Sequence, residues 1–377
     1  MKALKALILA GGFGTRLRPL SCTRPKLLFP IANRPLLDLT LERLAASGVD
    51  EAVLAVNFMA DILETHCGTT KYGIRLHYSR DMPLTSKATR SSQGALGTGG
   101  PVKQAQQLLA AKEPFLVLNG DILTDADYSR IVEDHEKNKG VATIALRQVE
   151  DPRRYGVVEV AREGHIIQFS EKPSRGATGK LVNAGLYVFD PRIFDYIPTG
   201  KRCSLEREVF PKLSAERQLF GHEIKGLWID VGKPEDYIRA NQLWLNAGMK
   251  LASDLRRARA GKQSTIKETV TMGEDVSVGK DSIIGPNVSL GSDTSIGKRV
   301  NIKNSIVLPH TAILDNTSIE GTLIGESVTV GRGVKIGKGC LIGDGAIIKD
   351  GVTLARDVKV CPFKEVSENV LESQSVM

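Results

Sequence analysis

The sequence predicts an α/β domain with a mainly parallel, helix-flanked sheet, followed by a solenoid of short stacked strands. Three observations carry this. Over residues 1–245 apolar strand-like runs alternate with amphipathic helical stretches, as in a parallel sheet covered by helices. A polar, basic stretch interrupts the alternation at residues 246–265. From residue 266 an aliphatic side chain recurs every six positions, the period of a solenoid of short stacked strands.

Within the first part, residues 5–10, 52–56, 74–78 and 115–118 are the expected strands. Residues 36–47 place Leu37, Leu41 and Leu44 at helical spacing, with Pro35 ahead and Gly48 behind, and so predict a helix. Residues 101–111 and 128–138 predict two more. The charges of the following stretch, among them Arg256, Arg257 and Arg259, suit a solvated linker.

In the second part the inward positions are expected at Met272, Val278, Ile284, Leu290, Ile296, Ile302, Leu308 and Leu314. After a single four-residue step they resume at Ile324, Val330, Ile336, Ile342, Ile348, Leu354 and Val360. Glycine follows the aliphatic residue repeatedly, as at Gly273, Gly279, Gly285, Gly291 and Gly297. These hexads resemble the hexapeptide-repeat β-helix domains, a resemblance that implies three hexads per coil; with strands ~4.8 Å apart, residues 266–363 would then make about five coils, leaving 364–377 as a tail.

Bulk composition narrows the function classes. The chain has 377 residues, 41% hydrophobic and 25% charged, and no run approaches the ~18 apolar residues of a membrane span. Residues 1–10 have no small-residue cleavage site and read as the first strand. The net charge of +8 is dispersed, with no basic run interleaved with aromatics, which argues against nucleic acid and suits a phosphate-rich substrate. The five cysteines form no CxxC pair and are odd in number, so a reducing cytoplasm without a zinc site is expected.

The first strand opens into Gly11, Gly12 and Gly14, then Thr15, Arg16 and Lys26. Glycines after a buried strand let backbone N–H groups approach phosphate oxygens, and the two cations add charge-assisted donors. The loop is neither a P-loop, lacking Gly-Lys-Ser/Thr, nor the dinucleotide fingerprint, since Leu17 stands in the third glycine's place. Two apolar segments end in carboxylates, residues 115–121 in Asp121 and residues 226–230 in Asp230. Strand ends are where open α/β sheets hold ligands, and two carboxylates with phosphate oxygens suit Mg²⁺. Taken singly, each would be an ordinary strand-end Asp.

The full string from Gly11 to Lys26, with the segments Tyr155-Gly-Val-Val, Glu171-Lys-Pro and Asn183-Ala-Gly-Leu-Tyr, resembles the sugar-1-phosphate nucleotidyltransferases. The resemblance covers both halves of the chain. It implies a Rossmann-like first domain and, for the hexad region, a left-handed β-helix. It implies that Leu9, Ala10, Gly11, Gly12, Gly14, Thr15, Arg16, Lys26, Gly97 and Thr98 meet the nucleotide, and that Asp121 and Asp230 hold Mg²⁺. Gly156, Glu171, Lys172 and Asn183 would meet the sugar phosphate, and Arg16, Lys26, Asp121 and Lys172 would carry catalysis.

Within that family, the combination with Glu206-Arg-Glu-Val-Phe-Pro and Trp228-Ile-Asp-Val-Gly is most similar to mannose-1-phosphate guanylyltransferases with a hexapeptide tail. GTP is therefore the favoured nucleotide and mannose 1-phosphate the favoured acceptor. Thymidylyl- and uridylyltransferases acting on glucose 1-phosphate share several of these motifs. The polar stretch 84–95 is longer than the family pattern suggests and bears on base selection. A regulatory subunit that binds without turnover is the alternative of another class, but Arg16, Lys26, Asp121 and Asp230 are all present. His310 is the β-helix's single histidine, so acetyl transfer there would rest on it alone. The β-helix is expected to serve homo-oligomeric assembly and stability, since every residue assigned to chemistry precedes it.

Overall fold

The structure is a computed structural model describing residues 4–80, 96–109, 112–173, 179–247, 259–260 and 264–377. The polar stretch 84–95 and the arginines Arg256 and Arg257 lie outside the described residues. The chain divides into two compact units, Met1–Gly12 with Leu37–Asp230, and Phe13–Leu36 with Val231–Met377. The division cuts the glycine-rich loop after Gly12.

The first unit is built on a ten-stranded mixed sheet. Its parallel part contains Leu4–Leu9 (β1), Val49–Val56 (β2), Ile74–Arg80 (β3) and Phe115–Asn119 (β4), with β1 between β2 and β4. Ala6, Leu7 and Ile8 are wholly buried, as expected of a central parallel strand covered on both faces. Helices Leu36–Ala46 (α1) and Tyr128–Asn138 (α2) lie where hydrophobic spacing predicts them. Asp127 caps α2 by accepting from the Ser129 N–H at 3.1 Å. The helix expected over 101–111 is two pieces, Gly99–Gln104 and Gln106–Leu109, and residues 110–111 are outside the described set.

Between Asn119 and the following short strand Ile122–Thr124 (β5) lies a turn holding Asp121. Besides the two-residue strand Thr70–Lys71, the remaining strands are Ala142–Gln148 (β6), Gly156–Val160 (β7), Ile166–Glu171 (β8), Leu181–Phe189 (β9), Leu219–Glu223 (β10) and Trp228–Asp230 (β11), the last forming a separate two-stranded sheet with β5. β9 pairs antiparallel with β4, β6 and β7, joining the parallel part to an antiparallel half. Its register against β6 shifts between Asn183 and Tyr187. Phe115, Tyr187, Phe189 and Phe210 pack together behind this bulge, with the Tyr187 and Phe210 rings 5.4 Å apart.

In the second unit three parallel sheets of seven, six and seven strands stack coil upon coil. They fit the left-handed β-helix that the hexad period predicts. The inward ladders run Val278, Ile296, Ile313, Val330, Ile348 on one face and Ile284, Ile302, Ile319, Ile336, Leu354 on the next. The third is Met272, Leu290, Val307, Ile324, Ile342, Val360.

Two corrections to the expected register follow. The inward residues are Val307 and Ile313, not Leu308 and Leu314, because the single four-residue step is in fact two five-residue steps, Ile302 to Val307 and Ile319 to Ile324. Both shortened turns fall at the same corner on successive coils, so the ladder stays in register. The strands also run past residue 363: Glu365–Val366 joins one face and Ser375–Val376 another.

One residue per corner adopts positive φ, among them Asp275, Asp281, Asn287, Asp293 and Gly333. Apart from Gly285, itself at φ +105°, the glycines following the aliphatic residues serve a different need. A Cβ at Gly279 would lie 2.5 Å from the Gly297 carbonyl of the next coil, so glycine there permits close stacking rather than a left-handed turn. His310 occupies one of the left-handed corners, half-exposed and 3.5 Å from Asp293.

Candidate active site

In the first unit the site is assembled by strand register. β11 pairs antiparallel with β5, setting Asp230 opposite Ile122, next in sequence to Asp121. Two carboxylates more than a hundred positions apart thus stand on neighbouring segments. Asp125 pins the turn before β11: its Oδ1 accepts from the Leu227 N–H at 2.7 Å, and its own N–H donates to the Leu227 carbonyl at 3.2 Å. Trp228 donates its indole N–H to the Ala184 carbonyl at 2.9 Å, so β11 is tied to the bulge of β9. Its ring meets Tyr155 edge-on at 5.3 Å.

The bulge is shaped by Asn183. Its Oδ1 accepts from the Gly185 N–H at 2.9 Å and its Nδ2 donates to the Tyr187 hydroxyl at 3.0 Å. Gly185 has φ +71°, and a Cβ there would lie 2.7 Å from Asn119 Nδ2, so only glycine fits. Burial first, then the Glu206 carboxylate, and then Glu171, push the Tyr187 phenol well above its ordinary value. Tyr187 remains a neutral hydroxyl amid Asn183, Asn119, Glu171 and Glu206.

β7 and β8 bring three more expected residues together. Gly156 pairs with Glu171, and the Lys172 N–H donates to the Tyr155 carbonyl at 3.1 Å. A Cβ at Gly156 would lie 2.7 Å from the Phe169 ring and 3.0 Å from Glu171 Oε2. Glu171 is mostly buried, whereas the Lys172 ammonium, 3.2 Å from it, is largely exposed. Lys172 has φ +46°, a conformation costing a non-glycine residue on the order of 1 kcal/mol.

Thr98 belongs to a clamp that sequence reasoning missed. Its hydroxyl donates to Glu206 Oε2 at 2.5 Å and accepts from the Leu205 N–H at 2.9 Å. Gly97, at φ +76°, is packed so closely that a Cβ would run into the Cys203 carbonyl oxygen. Both therefore have structural duties as well as the expected place at the nucleotide. The available signal was Ser204 followed by Glu206 and Glu208, the pattern of a capped helix start, and Ser204 does accept from the Arg207 N–H.

The glycine-rich loop begins in the first unit, where Leu9 accepts from the Gly120 N–H at 3.0 Å and the Ala10 N–H donates to Ala55 at 2.9 Å. Among the described residues nothing lies within 4 Å of a Cβ at Gly12, whose φ is not positive. Neither packing nor backbone conformation requires glycine at this position. Close approach of a ligand would.

Gly14, Thr15, Arg16 and Lys26 belong to the second unit. Gly14 is left-handed at φ +59°, and its carbonyl accepts from the Ser21 hydroxyl at 2.8 Å. Lys26 is buried against it while Arg16 is exposed.

A family model described as nucleotidyl transferase matches residues 5–247. The chain belongs to the nucleotidyl transferase family. A second model, described as the GMPPB C-terminal domain, matches residues 266–376. This nucleotidyl transferase is 40% identical over 248 residues to the mannose-1-phosphate guanylyltransferase catalytic subunit beta of Dictyostelium discoideum. It is 38% identical over 249 residues to the mannose-1-phosphate guanyltransferase of Saccharomyces cerevisiae. Each match covers 65% of this chain and 65% of the relative, so it spans just under two thirds of the relatives' length.

Among solved structures, a putative glucose-1-phosphate thymidylyltransferase from Bacillus anthracis has TM-score 0.56 and 25% identity, covering 64% of this chain and 95% of that one. HddC from Yersinia pseudotuberculosis, complexed with GMP-PN, has TM-score 0.51 and 28% identity, covering 63% and 98%.

Nucleotidyltransferases of this kind generally use a divalent metal. Asp121 and Asp230 fit one: both offer hard oxygen donors from adjacent segments, and a cation bound by few protein ligands takes the rest from substrate phosphates and water. Among the described residues no group of three or more His, Cys, Asp or Glu forms a self-sufficient cage. Among the same residues no helix is long and apolar enough to cross a membrane, and all five cysteines are free.

Proposed function

We propose that this protein transfers GMP from GTP to mannose 1-phosphate, giving GDP-mannose and pyrophosphate, with Mg²⁺ held by Asp121 and Asp230. What carries the reading is the β5–β11 register, which sets these carboxylates on neighbouring segments, tied through Trp228 to the bulge that bears Asn183. The substrate choice is supported by relatives named as mannose-1-phosphate guanylyltransferases at 38–40% identity.

An oxygen of the sugar phosphate attacks the α-phosphorus in line, forming one P–O bond as the bond to pyrophosphate breaks. No protein nucleophile takes part. Lys172 holds the attacking phosphate, and Glu171, Asn183 and the Gly156 backbone hydrogen-bond sugar hydroxyls. Leu9, Ala10, Gly11, Gly12, Gly14 and Thr15 lay backbone along the nucleotide, with Gly97 and Thr98 beside its nucleoside. Arg16 and Lys26 take up charge on the departing pyrophosphate. The metal supplies charge neutralisation between two anionic substrates. The need is large, because one pair of like charges at 4 Å costs on the order of 4 kcal/mol at an effective dielectric of 20.

The test is pyrophosphate release across a matrix of nucleoside triphosphates and sugar 1-phosphates. GTP with mannose 1-phosphate should give the highest kcat/KM, because a site that hydrogen-bonds a purine edge leaves those groups unpaired against a pyrimidine. A higher value for dTTP or UTP with glucose 1-phosphate overturns the substrate choice. No release with any pair overturns the reaction itself.

A further inference from the structure

We propose that Asp344 and Glu326, on the β-helix, are positioning residues for the polyphosphate loop: they hold Thr23 and Arg24, and through them the backbone that carries Arg16 and Lys26. The proposal rests on the reading of that loop as the nucleotide site. It gives the β-helix a part in the reaction, whereas its sequence suggests only assembly and stability.

The loop Phe13–Leu36 clusters with Val231–Met377 rather than with the sheet from which it emerges. The Thr23 hydroxyl donates to Asp344 Oδ2 at 2.7 Å. The other oxygen of the same carboxylate, Oδ1, accepts from the Glu326 N–H at 2.8 Å, so a corner of one coil fixes Asp344 before the loop uses it. The Arg24 guanidinium pairs with Glu326 in the neighbouring coil, both side chains being part-buried. Burial pushes the Asp344 carboxyl upward, and the Thr23 hydrogen bond and Arg24 charge counter it. The loop thus offsets part of the burial cost of the carboxylate.

Inside the loop, Ser21, Gly14 and Lys26 are packed together. A shift at residues 23–24 is therefore passed directly to Lys26, two positions on. The far side of the loop is anchored too. The Ala32 N–H and Ser289 hydroxyl donate to Asn241 Oδ1 at 2.8 and 3.2 Å, and Asn33 Nδ2 donates to the Leu290 carbonyl at 2.9 Å. Between these anchors the loop has little freedom to drift, and displacement by about 1 Å is enough to cost a reaction ~100-fold.

The experiment compares Thr23→Val, Thr23→Ser, Asp344→Ala and the double variant Thr23→Val/Asp344→Ala in the full chain. Thr23→Val keeps the β-helix intact and the side-chain volume nearly unchanged, so it remains informative if Asp344→Ala folds poorly. Thr23→Val and Asp344→Ala should each raise the KM for the nucleoside triphosphate about ten-fold, with the sugar-phosphate KM unchanged. Thr23→Ser should behave as the parent, and the double variant should be no worse than either single one. Unchanged nucleotide KM in both singles, or equal rises for both substrates, overturns the proposal.

Hydrogen exchange separates this proposal from the proposed function. Amides of residues 13–36 should lose protection in Thr23→Val whether or not turnover is measured, and unchanged exchange there also overturns the proposal. Absence of turnover in the parent protein sinks only the functional reading.

Discussion

At the scale of single residues, the two carboxylates make the sharpest prediction. Asp121→Asn and Asp230→Asn keep shape and remove charge, so each should lower kcat at least about 100-fold while leaving the melting temperature within a few degrees. Pyrophosphate release and circular dichroism on the same preparations check this. Turnover near the parental rate in both variants removes the metal assignment. A second prediction concerns His135, buried on α2 with Nδ1 2.9 Å from the Thr143 hydroxyl. Burial pulls its pKa down to about 4, against the attraction of Asp190 and with a smaller push from Arg192. Between pH 6.5 and 4 the unfolded chain binds this proton and the folded one does not, so stability falls with falling pH across that window. The loss reaches about 3 kcal/mol for this one group. His135→Gln should flatten that part of the melting-temperature profile; an unchanged slope counts against the assignment.

At the scale of elements, the hexad glycines divide into two kinds, and substitution tells them apart. Gly279 sits against the Gly297 backbone of the next coil, so Gly279→Ala must separate two coils and should cost about 3 kcal/mol. Gly333 is left-handed at φ +68° with open space around a Cβ, so Gly333→Asn should cost under about 1 kcal/mol, Asn tolerating that conformation. The midpoint of the β-helix transition in urea measures both, and equal effects would contradict the division. The six-residue period was legible because each turn repeats locally. The two five-residue steps were not: Val307 and Leu308 are both aliphatic, and nothing along the chain says which points inward. The stacking of Val307 on Leu290 decides it. Likewise the antiparallel strands Gly156–Val160, Ile166–Glu171 and Leu181–Phe189 were not separately predicted, because their pairing depends on β9 reaching back to β4.

At the scale of the whole molecule, truncation is the informative experiment. From sequence, cutting the chain near Lys250 should change oligomeric state and lower stability more than it harms catalysis. The structure alters that expectation, because the loop Phe13–Leu36 loses its partners Leu290, Glu326 and Asp344, while Asn241, which the truncated chain keeps, loses the Ser289 hydroxyl that shares its carbonyl with Ala32. A chain ending at Asn246 should therefore show at least a ten-fold rise in nucleotide KM, measured on the soluble fraction with light scattering alongside. Parental nucleotide KM in the truncated protein would return the β-helix to assembly alone.

The sequence by itself determined what is written in neighbouring residues: the alternation of strand and helix, the six-residue repeat, the glycine-rich loop, and carboxylates at the ends of apolar segments. Its resemblance to one family then supplied the roles those residues are expected to play. Only the tertiary structure decided that Asp230 stands opposite Ile122, the residue after Asp121, that Asn183 shapes a bulge around Tyr187, and that Thr98 is clamped by Glu206. It also decided that the loop Phe13–Leu36 clusters with Val231–Met377 rather than with the sheet it leaves. The reason is physical. A period or a turn is specified by steric and hydrophobic preferences within a few residues, whereas the bond from Thr23 to Asp344 joins side chains 321 positions apart. Nothing in the residues around either one specifies the other, and packing alone brings them together.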